Sequence, residues 1–156
     1  MLIFNNPIKY EHGFTLLELM ISVSVLIVAL VGILGVFAHL ISLNENSSKL
    51  TLAVAACQNK LEEMRNSNFT TLYTNYNGTS FNPSGFSSGE ARGAISINNS
   101  NPDLLQVYVS ASWRTRSNRV IGEDTNLNGA LNAGEDLNAN GRLDSPAEIA
   151  TLIGQR

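Results

Sequence analysis

From Leu19 to Leu43 the chain carries no Asp, Glu, Lys or Arg, and only Ser22, Ser24, His39 and Ser42 break an apolar run of 25 residues. About 20 apolar residues suffice to cross a bilayer as a helix, and a helix satisfies its own backbone in lipid. The stretch Asn44-Glu45-Asn46-Ser47-Ser48 marks a return to water. Beyond it Leu50, Val54, Cys57, Leu61 and Met64 recur at spacings of four, three, four and three. That is one apolar stripe on a helix, with Lys49, Gln58, Asn59, Lys60, Glu62, Glu63 and Arg65 on the other faces. No proline interrupts Phe14 to Arg65. The pattern therefore predicts one continuous helix. Residues 14–43 form its membrane half and residues 44–66 its amphipathic half, with the stripe laid against a sheet.

The remainder, residues 67–156, reads as a small head. Asn66 to Arg92 is rich in Asn, Ser, Thr and Gly, with Gly78, Pro83, Gly85 and Gly89 as breakers, and reads as a loop. Its aromatics, Tyr73, Tyr76, Phe81 and Phe86, are expected to pack back onto the core. Ala94 to Ile97 alternates as a short strand. Leu105 to Trp113 is the best strand, with Val107, Val109, Ala111 and Trp113 on one face and Tyr108, Ser110 and Ser112 on the other. Asn98–Asp103 and Arg114–Asn118 read as turns. Arg119–Ile121 and Ile149–Ile153 supply further strands. A long helix followed by an antiparallel sheet is an α+β plan.

Glu18 stands at the mouth of the apolar run. A carboxylate there is expensive in lipid and marks function, with a cationic partner to be named. The block Gly13-Phe14-Thr15-Leu16-Leu17-Glu18 before an uninterrupted apolar helix resembles the prepilin motif of type IV pilins and type II secretion pseudopilins. An ordinary signal peptide is cut after its apolar region, not before it. The resemblance implies a leader, residues 1–13, removed by a prepilin peptidase that cuts between Gly13 and Phe14 and N-methylates Phe14. It implies that Glu18 pairs with the terminal amine of a neighbouring subunit during fibre assembly. It also implies the pilin fold, residence in the inner membrane before assembly with the head outside the cytoplasm, and a place on the cell surface afterwards. The leader departs from the family in holding Lys9 as its only Lys or Arg. Ala55-Ala56-Cys57-Gln58-Asn59-Lys60-Leu61-Glu62-Glu63-Met64-Arg65 is similar to the same region of PilV-like minor pilins.

A second informative stretch, residues 124–148, separates the last strands. Asp124, Asn126, Asn128, Gly129, Ala130, Asn132 and Glu135 fall at positions one, three, five, six, seven, nine and twelve of a calcium loop of the EF-hand type. Calcium takes about six to eight hard oxygens, and alternate side chains of a curled loop converge on one point. A second copy follows at once, with Asp136, Asn138, Asn140, Gly141, the Arg142 carbonyl and Asp144. Its twelfth place is Ala147, and Glu148, one residue late, completes the candidate ligand set of this loop. With no room for flanking helices, the tandem resembles the calcium-braced repeats of thrombospondin or dockerin-like proteins. Carbonyl and amide oxygens outnumber carboxylates, which implies weak affinity suited to the calcium level outside cells.

Composition narrows the function. Net charge is −3 and there is one cysteine, so no basic field argues for nucleic acid and no intrachain disulfide can form. The single histidine beyond residue 13 is His39, inside the apolar run, so no Ser-His-Asp or Cys-His pair is available to the head. The small cationic turn Arg114, Arg116, Arg119 reads as a solvated hairpin end. The expected function is a non-enzymatic minor pilin with structural calcium in its head. The alternatives are a minor pseudopilin of type II secretion and, from another class, a membrane-anchored calcium-dependent adhesin.

Overall fold

A computed structural model describes residues 13–155. Of the expected leader only Gly13 falls among the described residues. The chain divides into two compact units, Met1–Ile41 and Ser42–Arg156, and helix α1 (Leu16–Arg65) contributes to both.

In the first unit Thr15 caps α1: its Oγ1 accepts the Glu18 N–H at 3.2 Å. Glu18 lies in the first turn, where the positive end of the helix dipole favours an anion. Every described side chain of this unit is exposed. The hydroxyls of Ser22 and Ser24 donate back to the carbonyls of Glu18 and Met20 at 2.8 Å, which satisfies them inside the helix. Among the described residues α1 is the one helix long and apolar enough to cross a membrane.

The second unit joins the remainder of α1 to a short helix and five strands. They are α2 (Phe69–Tyr76), β1 (Ser80–Phe81), β2 (Ala91–Asn98), β3 (Leu104–Arg114), β4 (Val120–Ile121) and β5 (Ala147–Gly154). All pairings are antiparallel. The central strand β3 has β2 on one side and both β4 and β5 on the other. Register places Ile95, Val109 and Ile149 in one row and Ile97, Val107 and Thr151 in the next. Ala53, Cys57, Leu61 and Met64 of α1 join the inward residues of that sheet, including Trp113 and Ala147, in one core. This is the α+β plan that the pattern predicts.

Two expectations need correction. Leu50 does not open the buried stripe; it is 36% exposed, and burial starts at Ala53. Lys49 Nζ donates to the carbonyl of Arg114, the last residue of β3, at 2.9 Å. Apolar contact with the sheet therefore begins one helical turn beyond Lys49. The segment after α1 is also not all loop. Asn68 caps α2 by accepting the Thr70 N–H at 3.1 Å, and Leu72 is 1% exposed. Phe-Thr-Thr-Leu-Tyr-Thr-Asn-Tyr has weak helix propensity, and burial of Leu72 overrides it. Tyr73, Tyr76, Phe81 and Phe86 pack against the core as expected.

Cys57 is fully buried and donates to the Ala147 carbonyl at 3.6 Å. Burial, with the nearby Glu148 charge adding to it, pushes its thiol up to about 12. Only a thiolate attacks alkylating reagents at a useful rate. Iodoacetamide at mildly alkaline pH should leave Cys57 of the folded chain unmodified and alkylate it fully in guanidinium. Mass spectrometry reads both, and fast labelling of the folded chain would contradict this packing.

Candidate metal centre and processing motif

The insert between β4 and β5 holds two loops of matching backbone. Leu127 and Ala139, each fourth in its loop, have φ of 58°, and Gly129 and Gly141, each sixth, have φ of 76° and 77°. Non-glycine residues rarely adopt this left-handed conformation. Its recurrence at equivalent places shows that the sequence period is also a structural period.

The side chains repeat as well. Asp124 accepts the N–H of Asn128 at 3.0 Å and of Gly129 at 2.8 Å. Asp136 accepts those of Asn140 and Gly141, both at 2.9 Å. Asn126 Oδ1 accepts the Asn128 N–H at 2.9 Å, and Asn138 Oδ1 accepts the Asn140 N–H at 3.1 Å. Asn132 Oδ1 gathers the side-chain amides of Asn126 and Asn128 at 2.9 and 2.8 Å. Asp144 Oδ2 gathers those of Asn138 and Asn140, both at 2.7 Å. Positions one, three, five and nine therefore converge in each loop. At position seven, the N–H groups of Ala130 and Arg142 bond back to the side chains of Asn128 and Asn140. Glu135, at position twelve, folds into the first loop. Its Oε1 accepts from the Thr125 N–H at 3.0 Å and its Oε2 from the Asn132 N–H at 3.0 Å.

The first loop buries two carboxylates. Asp124 is 1% exposed and Glu135 4%, yet neither forms an ion pair among the described residues. Burial pushes the Asp124 pKa up, and Glu135 adds to the rise against the pull of the Gly129 and Asn128 N–H groups; the net shift is upward. Burial pushes Glu135 up too, but hydrogen bonds from Thr125, Asn132 and Asn126 outweigh it and hold the carboxyl below its ordinary range. No three His, Cys, Asp or Glu side chains gather into one metal-binding cluster among the described residues. The donors available are amide and carboxylate oxygens, which suit a hard cation rather than a transition metal.

The second loop differs at its close. Ala147, its twelfth residue, is fully buried in β5. Glu148 stands opposite Ser110 in the sheet, and its carboxylate accepts from Arg142 Nη1 at 2.7 Å. That guanidinium stacks over Tyr108 at 3.9 Å and lies 3.1 Å from Asp144 Oδ1. Glu123, which the loop pattern alone does not single out, is 9% exposed. It accepts the N–H of Leu137 at 3.2 Å and of Asp144 at 2.9 Å, and its own N–H donates to the Asp144 carbonyl at 2.8 Å. A signal for it exists in the chain: Gly122-Glu123-Asp124 recurs as Gly134-Glu135-Asp136.

At the other end of the chain, a Cβ on Gly13 would meet nothing within 4 Å, and Phe14 is 82% exposed. Glu18 forms no ion pair among the described residues. Residues 8–34 match the family model of the prokaryotic N-terminal methylation motif. The match takes in Gly13, Phe14 and Glu18 and spans 27 of the 156 residues. Comparison with curated proteins and with solved structures finds no match. The matched motif thus stops inside the apolar half of α1.

The sheet holds the insert firmly at some points and not at others. Ser110 Oγ donates to the Leu143 carbonyl at 2.7 Å, and Leu143 is 7% exposed. A Cβ on Gly129 would stand 2.2 Å from Ser80 Cβ, whereas one on Gly141 would meet nothing within 4 Å. Gly129→Ala should therefore cost about 2–4 kcal/mol, combining left-handed strain with overpacking. Gly141→Ala should carry the backbone cost alone, about 1 kcal/mol. Urea unfolding of the detergent-solubilised chain measures both, and equal losses would contradict the close seating of the first loop.

Proposed function

We propose that the chain is a minor subunit of a type IV pilus, of the PilV-like kind. Prepilin peptidase cuts between Gly13 and Phe14 and methylates the new terminus. The subunit waits in the inner membrane with its head outside the cytoplasm, then enters a fibre through α1 and reaches the cell surface. The observation that carries this reading is the methylation motif joined to the apolar first half of α1, exposed throughout, with Glu18 in its first turn. An exposed apolar surface of that extent needs lipid or other helices to cover it. Glu18 then needs a cation in the same apolar setting, and the terminal amine of a neighbouring subunit's helix supplies one.

The insert binds calcium as a structural brace in this reading. Two loops that repeat in backbone and in side-chain hydrogen bonding, and two buried carboxylates without a cationic side chain, support it. Asp124, Asn126, Asn128, Ala130, Asn132 and Glu135 are the ligands of the first ion. Asp136, Asn138, Asn140, Arg142 through its carbonyl, and Asp144 are ligands of the second. With Cys57 the one cysteine, a metal ion takes the place of a disulfide in tying the C-terminal region together.

Two experiments test these readings separately. Glu18→Ala should leave the chain in the membrane fraction but remove it from sheared filaments; undiminished incorporation would refute the assembly role. Calcium at a hundredfold excess over its dissociation constant should stabilise the head by about 2.7 kcal/mol. Melting curves that coincide in calcium and in chelator would end the calcium reading and leave the fibre reading untouched.

A further inference from the structure

We propose that Glu123 supplies the closing carboxylate of the second calcium loop, the place that sequence position offers to Glu148. The inference rests on the calcium reading of the insert and deepens it.

The two loops share their ligand pattern through the ninth position but not at the twelfth. In the first loop Glu135 clamps two backbone N–H groups, that of the second residue, Thr125, on Oε1 and that of the ninth, Asn132, on Oε2. In the second loop the second and ninth residues are Leu137 and Asp144. Their N–H groups are held by Glu123, Leu137 on Oε1 at 3.2 Å and Asp144 on Oε2 at 2.9 Å. The same two positions are thus clamped by the two oxygens of one glutamate in each loop. Glu123 enters from the opposite end of the sequence, just before the first loop begins. The insert is a closed ring in which one glutamate seals its own loop and the preceding glutamate seals the next.

Burial and charge support the assignment. Glu123 is 9% exposed and forms no ion pair among the described residues, as is true of Glu135. A buried carboxylate without a cation is costly, so Glu123 has the same need for a counter-charge as Asp124 and Glu135. Glu148 has no such need. Arg142 bonds it at 2.7 Å and is itself held over Tyr108. To bind metal, Glu148 would first have to give up a charge-assisted bond to a stacked guanidinium.

Calorimetric titration of the full chain in detergent with calcium provides the test. The chain should bind two ions. Glu123→Gln should weaken one of them at least about tenfold and leave the other unchanged, because ligand charge sets affinity in such loops. Glu135→Gln should weaken the other ion, and Glu148→Gln should keep both. The Glu123→Gln chain should melt below the unmodified chain in both media, because one of the two backbone N–H groups loses its acceptor, and the gap should be wider in calcium than in chelator. An equal fall in both media would make Glu123 a structural acceptor only and overturn the proposal. It is overturned as well if Glu123→Gln keeps both ions at unchanged affinity, or if Glu148→Gln loses one. The last result stands even if the Glu123 variant does not fold. A chain that binds one ion, lost in Glu135→Gln, would overturn the proposal while the calcium reading of the first loop stands. A chain that binds no ion would end both.

Discussion

A carboxylate removed from water demands a positive charge, and on the proposed function the chain raises that demand twice. At Glu18 the acid stands in the first turn of an apolar helix whose described neighbours offer no cation. At the insert Asp124 and Glu135 are buried with none. Desolvating an ion costs several kcal/mol even after the protein relaxes. A chain that keeps such residues must draw its counter-charge from elsewhere. On the proposed function the two sites draw on different sources. The helix takes the amine of another subunit, and the insert takes a metal ion from the medium. On that reading the first demand would enforce assembly and the second a compartment.

The insert is tied to the core of the head through β3. Strand β3 divides its residues between the insert and the core. Val107, Val109, Ala111 and Trp113 face inward with Cys57 and Met64 of α1, while Ser110 on the opposite face bonds the Leu143 carbonyl of the insert. Glu123 and Asp144 exchange bonds across the two ends of the insert, next to β4 and β5. The ordering of the insert is thereby joined to the pairing of the last strand with β3.

What the sequence revealed followed from periodicity and charge. The apolar run, the stripe from Val54 to Met64 and the two-residue alternation of Leu105 to Trp113 each repeat over several residues, and repetition is legible without a structure. Helix α2 was not legible, because its eight residues have weak helix propensity and owe their form to the burial of Leu72. Leu50 was misassigned because a stripe shows which face is apolar, not where the opposing sheet ends. The two loops were legible residue by residue through position nine. Glu123 was missed for a topological reason: a loop motif is read forward from its first ligand, and this carboxylate precedes both loops.

The charge balance of the insert follows from the same facts. Between Gly122 and Glu148 lie six acids and one arginine, although the whole chain carries a net charge of only −3. The insert is therefore the acidic centre of a chain that is otherwise slightly basic. Arg142 offsets one negative charge and is committed to Glu148 and Asp144. Two divalent ions would cancel four of the remaining five and leave the insert nearly neutral. Without them, repulsion between acids such as Asp124 and Glu135 would work against the folded insert. Because amides supply much of each loop's oxygen, the expected affinity is modest, and calcium at the concentration found outside cells is what such loops can use. The head would then tighten only after it has left the cytoplasm, on the side of the membrane from which a fibre grows.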